Sequence, residues 1–145
     1  MRYPESLLDN VLFLCGVINN RISRKINHSF RNAGIDITLE QFAVMALLWY
    51  KEGYNQQEIA DTLKRDKTTI TRVLGKMFDK NLLVKVPDRK DSRNNLIYLT
   101  KLGKDLQHKC VDITGNQYNK LVKDITDEEI TITLNVLNKI LRNIE

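Results

Sequence analysis

Six residues between Lys67 and Lys76 are of types and spacings that suit the reading of a nucleic acid: Lys67, Thr68, Thr69, Thr71, Arg72 and Lys76. On a helix, Ile70, Val73, Leu74, Met77 and Phe78 fall on one face at i, i+3, i+4, i+7 and i+8. The threonines, Arg72, Gly75 and Lys76 are left on the other face. Short hydroxyls supply donors, acceptors and a methyl group for thymine, while Arg72 and Lys76 reach guanine acceptors or phosphates. Asp66 is placed to cap this helix, whose first turn adds amide donors and partial positive charge. A second cluster follows in Pro87-Asp88-Arg89-Lys90-Asp91-Ser92-Arg93-Asn94-Asn95, a polar tip between two β-rich runs. There Arg89, Lys90 and Arg93 suit the phosphate backbone or a narrow minor groove. The chemistry of both clusters is non-covalent recognition of a polyanion.

Charge is concentrated in the same place. Residues 64–104 hold twelve basic side chains against four acids, a net +8, and the rest of the chain is −3. A basic stretch can be merely a solvated face. A concentrated block between near-neutral flanks is the footprint expected of a polyanion binder.

Other classes fit poorly. There is no Gly-x-Ser-x-Gly, no Gly-rich phosphate loop, no His-Glu-x-x-His and no Cys-x-x-Cys, so no enzyme and no cofactor are expected. Two histidines without neighbouring ligands, His28 and His108, predict no metal site. No apolar run approaches the ~18 residues of a membrane span. The start of the chain lacks a secretory pattern, and two cysteines make no disulfide framework. A single cytoplasmic domain without membrane contact is the expectation for 145 residues.

The elements that must hold the two clusters can be read from stripes and caps. A helix of about 25–28 residues is expected from Leu7 to Phe30, ending at Ala33-Gly34 with Gly34 as its C′ residue. Capping boxes open further helices at Thr38-Leu39-Glu40-Gln41, Asn55-Gln56-Gln57-Glu58 and Thr126-Asp127-Glu128-Glu129. Leu82-Leu83-Val84-Lys85-Val86 and Leu96-Ile97-Tyr98-Leu99 form the hairpin that carries the charged tip. Thr100 caps one long helix running to Ile125, with Gly115 bending its middle. The expected fold is mostly α with a small antiparallel β-hairpin.

In this order the parts resemble the MarR-type winged helix-turn-helix transcriptional regulators, over essentially the whole chain. Residues 55–65 resemble the first helix of the motif and 66–81 its recognition helix. Asp88-Arg89-Lys90-Asp91-Ser92-Arg93 resembles the family's wing signature, and Leu99-Thr100-Lys101-Leu102-Gly103 its Leu-Thr-x-x-Gly. The turn Lys64-Arg65-Asp66 departs from the pattern by lacking the glycine common there. Gly75 costs the recognition helix about 1 kcal/mol relative to Ala. The resemblance implies a winged DNA-binding part at 36–100 and helical dimerisation parts at 1–35 and 101–145. It also implies that Arg93 enters the minor groove with Asp91 orienting it, while Thr68, Thr69, Thr71 and Arg72 face the major groove. A repressor binding a pseudo-palindromic operator as a homodimer, released by a small phenolic or lipophilic effector, is the implied function.

The stripes support the dimer independently, because two ~25-residue terminal helices outrun the interior of a small domain. Closure into a monomeric helical core is the bland alternative. Trp49 and Tyr50 are either cavity lining or core and rim of their helix. Cys15 and Cys110 lie on apolar stripes, where free cysteine is usually a small core residue. A cysteine-based redox-sensing regulator and a winged-helix protein-interaction module stand as alternative functions.

Overall fold

Most helices in the computed structural model start just after a residue whose side chain accepts from their first turn. The structure describes residues 6–91 and 93–145. Ser92 of the wing signature and residues 1–5, read above for a secretory pattern, lie outside the described residues. A 3₁₀ turn at Leu7–Asp9 leads into α1, Val11–Asn32. The long first helix is therefore shorter than its stripe, 22 residues, and the reason is local. Asn10 takes an extended backbone, and its side chain accepts from the Leu12 and Phe13 amides, so the helix is capped there. At the other end Gly34 sits at φ +72°, with its amide bonded to Arg31 O and that of Ile35 to Phe30 O. That is the Schellman closure for which a C′ glycine is suited.

Three capping boxes then close with both reciprocal bonds present, opening α2 (Leu39–Tyr50), α3 (Gln56–Thr62) and, near the end of the chain, α7 (Asp127–Ile144). Asp66 caps α4, Lys67–Asp79, by accepting from the Thr69 amide. Between α3 and α4 the chain turns without glycine. Lys64 itself takes φ +52°, and Arg65 N donates to Ala60 O at 2.9 Å. A Schellman closure with a lysine at C′ thus delivers the chain directly to the Asp66 cap. Asn81, at φ +56°, repeats the device after α4, with Leu82 N bonded to Met77 O.

Two strands follow, β1 (Leu83–Pro87) and β2 (Asn95–Leu99), antiparallel and in register from Leu83↔Leu99 to Pro87↔Asn95. Tyr54 adds an isolated bridge to Ile97, tying the start of α3 to the hairpin. Thr100 caps α5, Lys101–Asp105, and α6 runs from Gln107 to Leu121. The expected single helix is thus interrupted, but at Leu106, while Gly115 lies inside a continuous α6. Trp49 Nε1 donates at 3.0 Å to the Gly103 carbonyl, one turn before the interruption. A side chain inserted into the helical ladder is a recognised cause of such breaks.

The contacts define two compact units, one ending at Ile113 and one from Thr114 to Glu145. In the first, Phe30, Val44, Met45, Leu48, Ile59, Met77, Ile97 and Cys110 are buried in one core. Burial pushes the Cys110 thiol up to about 11, so at neutral pH it stays a protonated, unreactive thiol. Cys15 differs from its expected core position and is exposed on α1. In the second unit α7 has no buried residue, and Leu134, Leu137 and Leu141 of its stripe are exposed. Among the described residues no helix is long and apolar enough to cross a membrane. Nor does any group of three potential metal ligands come together there.

Candidate nucleic-acid interface

Helix α4 buries Ile70, Val73, Leu74 and Met77. That leaves Thr68, Thr71, Arg72, Gly75 and Lys76 exposed on the outer face, as the spacing requires. Thr69 lies at the margin. Its hydroxyl donates to Asp66 Oδ2 at 2.6 Å while its amide donates to Oδ1 at 2.8 Å. These two bonds, the hydroxyl's first, hold the Asp66 carboxyl below its ordinary pKa. Thr69 therefore completes the cap of α4 and is half-buried, whereas Thr68 is exposed on the outer face.

The outer face is flanked on both sides by side chains from other helices. On the α3 side, Gln56 Nε2 donates to the Thr71 hydroxyl. On the α2 side, an Arg72 guanidinium nitrogen meets Glu40 Oε2 at 3.2 Å. An exposed pair of this kind contributes roughly 0–1 kcal/mol to folding, so its effect is on where Arg72 points. Sequence reading does not find either partner. Glu40 is 32 residues from Arg72, and nothing in its local pattern marks it as more than a first-turn acid of α2.

The wing tip is built by its two aspartates. Asp88 Oδ1 accepts from Lys90 N, and Asp91 Oδ1 from Arg93 N at 3.1 Å, each an Asx turn. The same Asp91 oxygen accepts from Arg93 Nε at 3.3 Å, and the Arg93 side chain is 91% exposed. Asp91 thus fixes the base of the arginine while its far end is presented to solvent. Arg89 and Lys90 are also exposed. Between wing and helices lies a polar groove of about 370 Å³ lined by Gln56, Lys67, Lys85, Arg93, Asn94 and Asn95 among others. Lys85 Nζ stands 4.7 Å from the Phe78 ring centroid, a cation–π contact that seats the strand on α4. Lys85, Asn94 and Asn95 belong to this surface although the residue types alone did not single them out.

The glycine of Leu-Thr-x-x-Gly has a steric explanation. A Cβ on Gly103 would lie 2.6 Å from Leu82 O and 2.9 Å from Leu99 Cδ2. Only glycine lets α5 approach the hairpin that closely, while Thr100 Oγ1 accepts from the Gly103 amide. The wing is thereby fixed to the body of its unit. Trp49 is half-buried against α5, and Tyr50 is 94% exposed, so Trp49 borders the core and Tyr50 does not.

Comparison with known proteins agrees with this arrangement. The family model described as the MarR family matches residues 37–94. An organic hydroperoxide resistance transcriptional regulator of Bacillus subtilis is 33% identical over 81 residues, which make up 56% of this chain. The match spans only 55% of that relative's length. The HTH-type transcriptional regulator SarZ of Staphylococcus epidermidis is 27% identical over 114 residues, 79% of this chain and 76% of its own. Among solved structures, the S. aureus MepR–DNA complex superimposes with a TM-score of 0.82 at 25% identity, covering 94% of this chain and 97% of MepR. The transcriptional regulator SlyA, at 20% identity and a TM-score of 0.83 over 93% of this chain and 94% of its own, shares the fold. Residues 37–94 thus resemble the MarR family, and the fold is that of the winged-helix MepR and SlyA structures.

Proposed function

We propose that the chain represses transcription as a homodimer on a pseudo-palindromic duplex, with α4 in the major groove and Arg93 in the minor groove. The observation that carries this reading is one exposed basic surface with two prongs. Thr68, Arg72 and Lys76 stand outward on α4, and the Asp91-braced Arg93 stands outward on the wing, with no buried salt bridge to break. MepR, the relative in fold at 25% identity, was crystallised with DNA. A homodimer is supported by the exposed apolar stripes, Leu12, Phe13 and Ile18 on α1 and Leu134, Leu137 and Leu141 on α7, which a second copy would cover. The test is selection from a random duplex pool. A selected duplex should outcompete random DNA by at least ~10³, and affinity should fall steeply with salt. A protein-interaction module would show neither.

Release by a small effector has a candidate place. A cavity of about 180 Å³ lies among α1, α2 and α4, lined by Asn19, Ser23, Glu40, Arg65, Thr69 and apolar residues. That is below the ~300 Å³ at which drug-sized pockets begin, so a compact phenolic molecule suits it better than a long lipid. A second reading, peroxide sensing, is favoured by the exposed Cys15 and by the similarity to the organic hydroperoxide resistance regulator of Bacillus subtilis. Organic hydroperoxide should then abolish duplex binding by the wild type and leave Cys15→Ser unaffected.

A further inference from the structure

We propose that Glu40, which lies on α2 and outside the helix that enters the groove, is a positioning residue that makes Arg72 read a base edge instead of a phosphate. The inference rests on the reading above, that α4 meets duplex DNA. A carboxylate beside a polyanion-binding face is at first sight unfavourable, since it repels phosphate. Here it is 47% exposed and engages Arg72, itself 53% exposed, at 3.2 Å. Neither side chain is buried, so the pair is not there to satisfy a desolvated charge. Glu40 itself is held firmly. It sits in the first turn of α2, whose capping box of Thr38 and Gln41 is complete and whose Val44, Met45 and Leu48 are in the core.

Two effects follow from that geometry. A guanidinium carries five N–H donors in a flat fork, and Glu40 engages a single terminal nitrogen. The remaining edge is left for a two-pronged acceptor such as the O6 and N7 of guanine. A long side chain pinned before encounter also loses less freedom on binding. The second effect is discrimination. A neutralised arginine gains little from a phosphate, and Glu40 penalises any docking that pushes phosphate into that corner, so non-specific binding is weakened more than specific binding. The hydrogen bond from Gln56 to Thr71 braces the opposite flank in the same manner. The two central reading residues are thus each held by a helix that does not enter the groove.

The experiment compares the full-length wild type, Glu40→Gln, Arg72→Ala and the double variant, all checked for unchanged thermal melting. Each is titrated with the selected duplex and with a scrambled duplex of equal length. Glu40→Gln should bind the scrambled duplex more tightly and lose about three- to tenfold of the selected-to-scrambled ratio, a share of what one base contact is worth. In the Arg72→Ala background the same substitution should change that ratio by less than about twofold, since coupled residues act together. The inference is overturned if Glu40→Gln shifts both duplexes by one common factor, or if its effect on the ratio persists without Arg72. A wild type that prefers no duplex overturns the functional reading itself, and this inference with it.

Discussion

The unit ending at Ile113 and the unit beginning at Thr114 differ in how far they bury their apolar residues: both expose a stripe, on α1 and on α7, but only the first also closes a core. The first buries Phe30, Met45, Leu48 and Met77 completely and exposes charge and hydroxyls on α4 and the wing. In the second, α7 is as strongly striped, yet Leu134, Leu137 and Leu141 remain exposed. A winged unit with its own core can hold side chains in fixed positions for recognition. In the proposed homodimer a second copy would cover the α7 stripe, and each leucine buried there would contribute about 1.5–3 kcal/mol. On the proposed function, recognition falls to α4 and the wing, and assembly to the exposed stripes of α1 and α7.

Substitutions can break that contrast. The largest effect is expected from Leu137→Glu with Leu141→Glu, which should leave the winged unit folded and give a monomeric mass by sedimentation. Duplex affinity should fall by roughly 10²-fold or more with the loss of bivalency; an unchanged mass would remove the assembly role from α7. Arg93→Ala should weaken duplex binding about tenfold or more without altering that mass, measured by fluorescence anisotropy. If affinity is unchanged, the wing is not a prong. Within the winged unit, Gly103→Ala should lower thermal stability by about 1–3 kcal/mol, as overpacking does, because its methyl would press on the Leu82 carbonyl. Lys64→Gly should act in the opposite sense and raise stability by roughly 0.5–1 kcal/mol, since Lys64 bears a left-handed backbone.

The smallest effect concerns acid. Hydrogen bonds from Thr69, its hydroxyl first and then its amide, hold Asp66 below its ordinary pKa. The cap's contribution is therefore complete above the unfolded aspartate value and is lost as pH falls through the lower folded one. Asp66→Asn caps almost as well and does not titrate, so its acid melting curve should be flatter than that of the wild type. Identical curves would show that the cap carries none of the acid sensitivity.

How much of this was legible in the sequence depended on range. Capping boxes at Thr38, Asn55 and Thr126 each predict a helix start within a few residues, and all three close as expected. The stripe of α4 and the hairpin around the charged tip were equally local signals. What the sequence concealed involved distant partners or backbone shape. The break at Leu106 lies beside a bond from Trp49, 54 residues from its acceptor Gly103, whereas Gly115 had suggested a bend further along. The turn without glycine closes because Lys64 takes the left-handed conformation, which its residue type does not announce. Cys15 shares a stripe with core residues of α1, yet it lies on the turns that the core of its unit does not reach. Glu40 and Gln56 stand in legible first turns, but nothing marks Arg72 and Thr71 as their partners, because ion pairs and hydrogen bonds between helices have no period.

Hydroxyl-radical footprinting of the wild type on a selected duplex tests the central claim most directly. Two equivalent sets of protected sugars, related by a dyad and centred one helical turn or a whole number of turns apart, are the expected result, with the minor-groove protections lost in Arg93→Ala. A single protected patch without symmetry, or uniform protection along the duplex, would contradict the account.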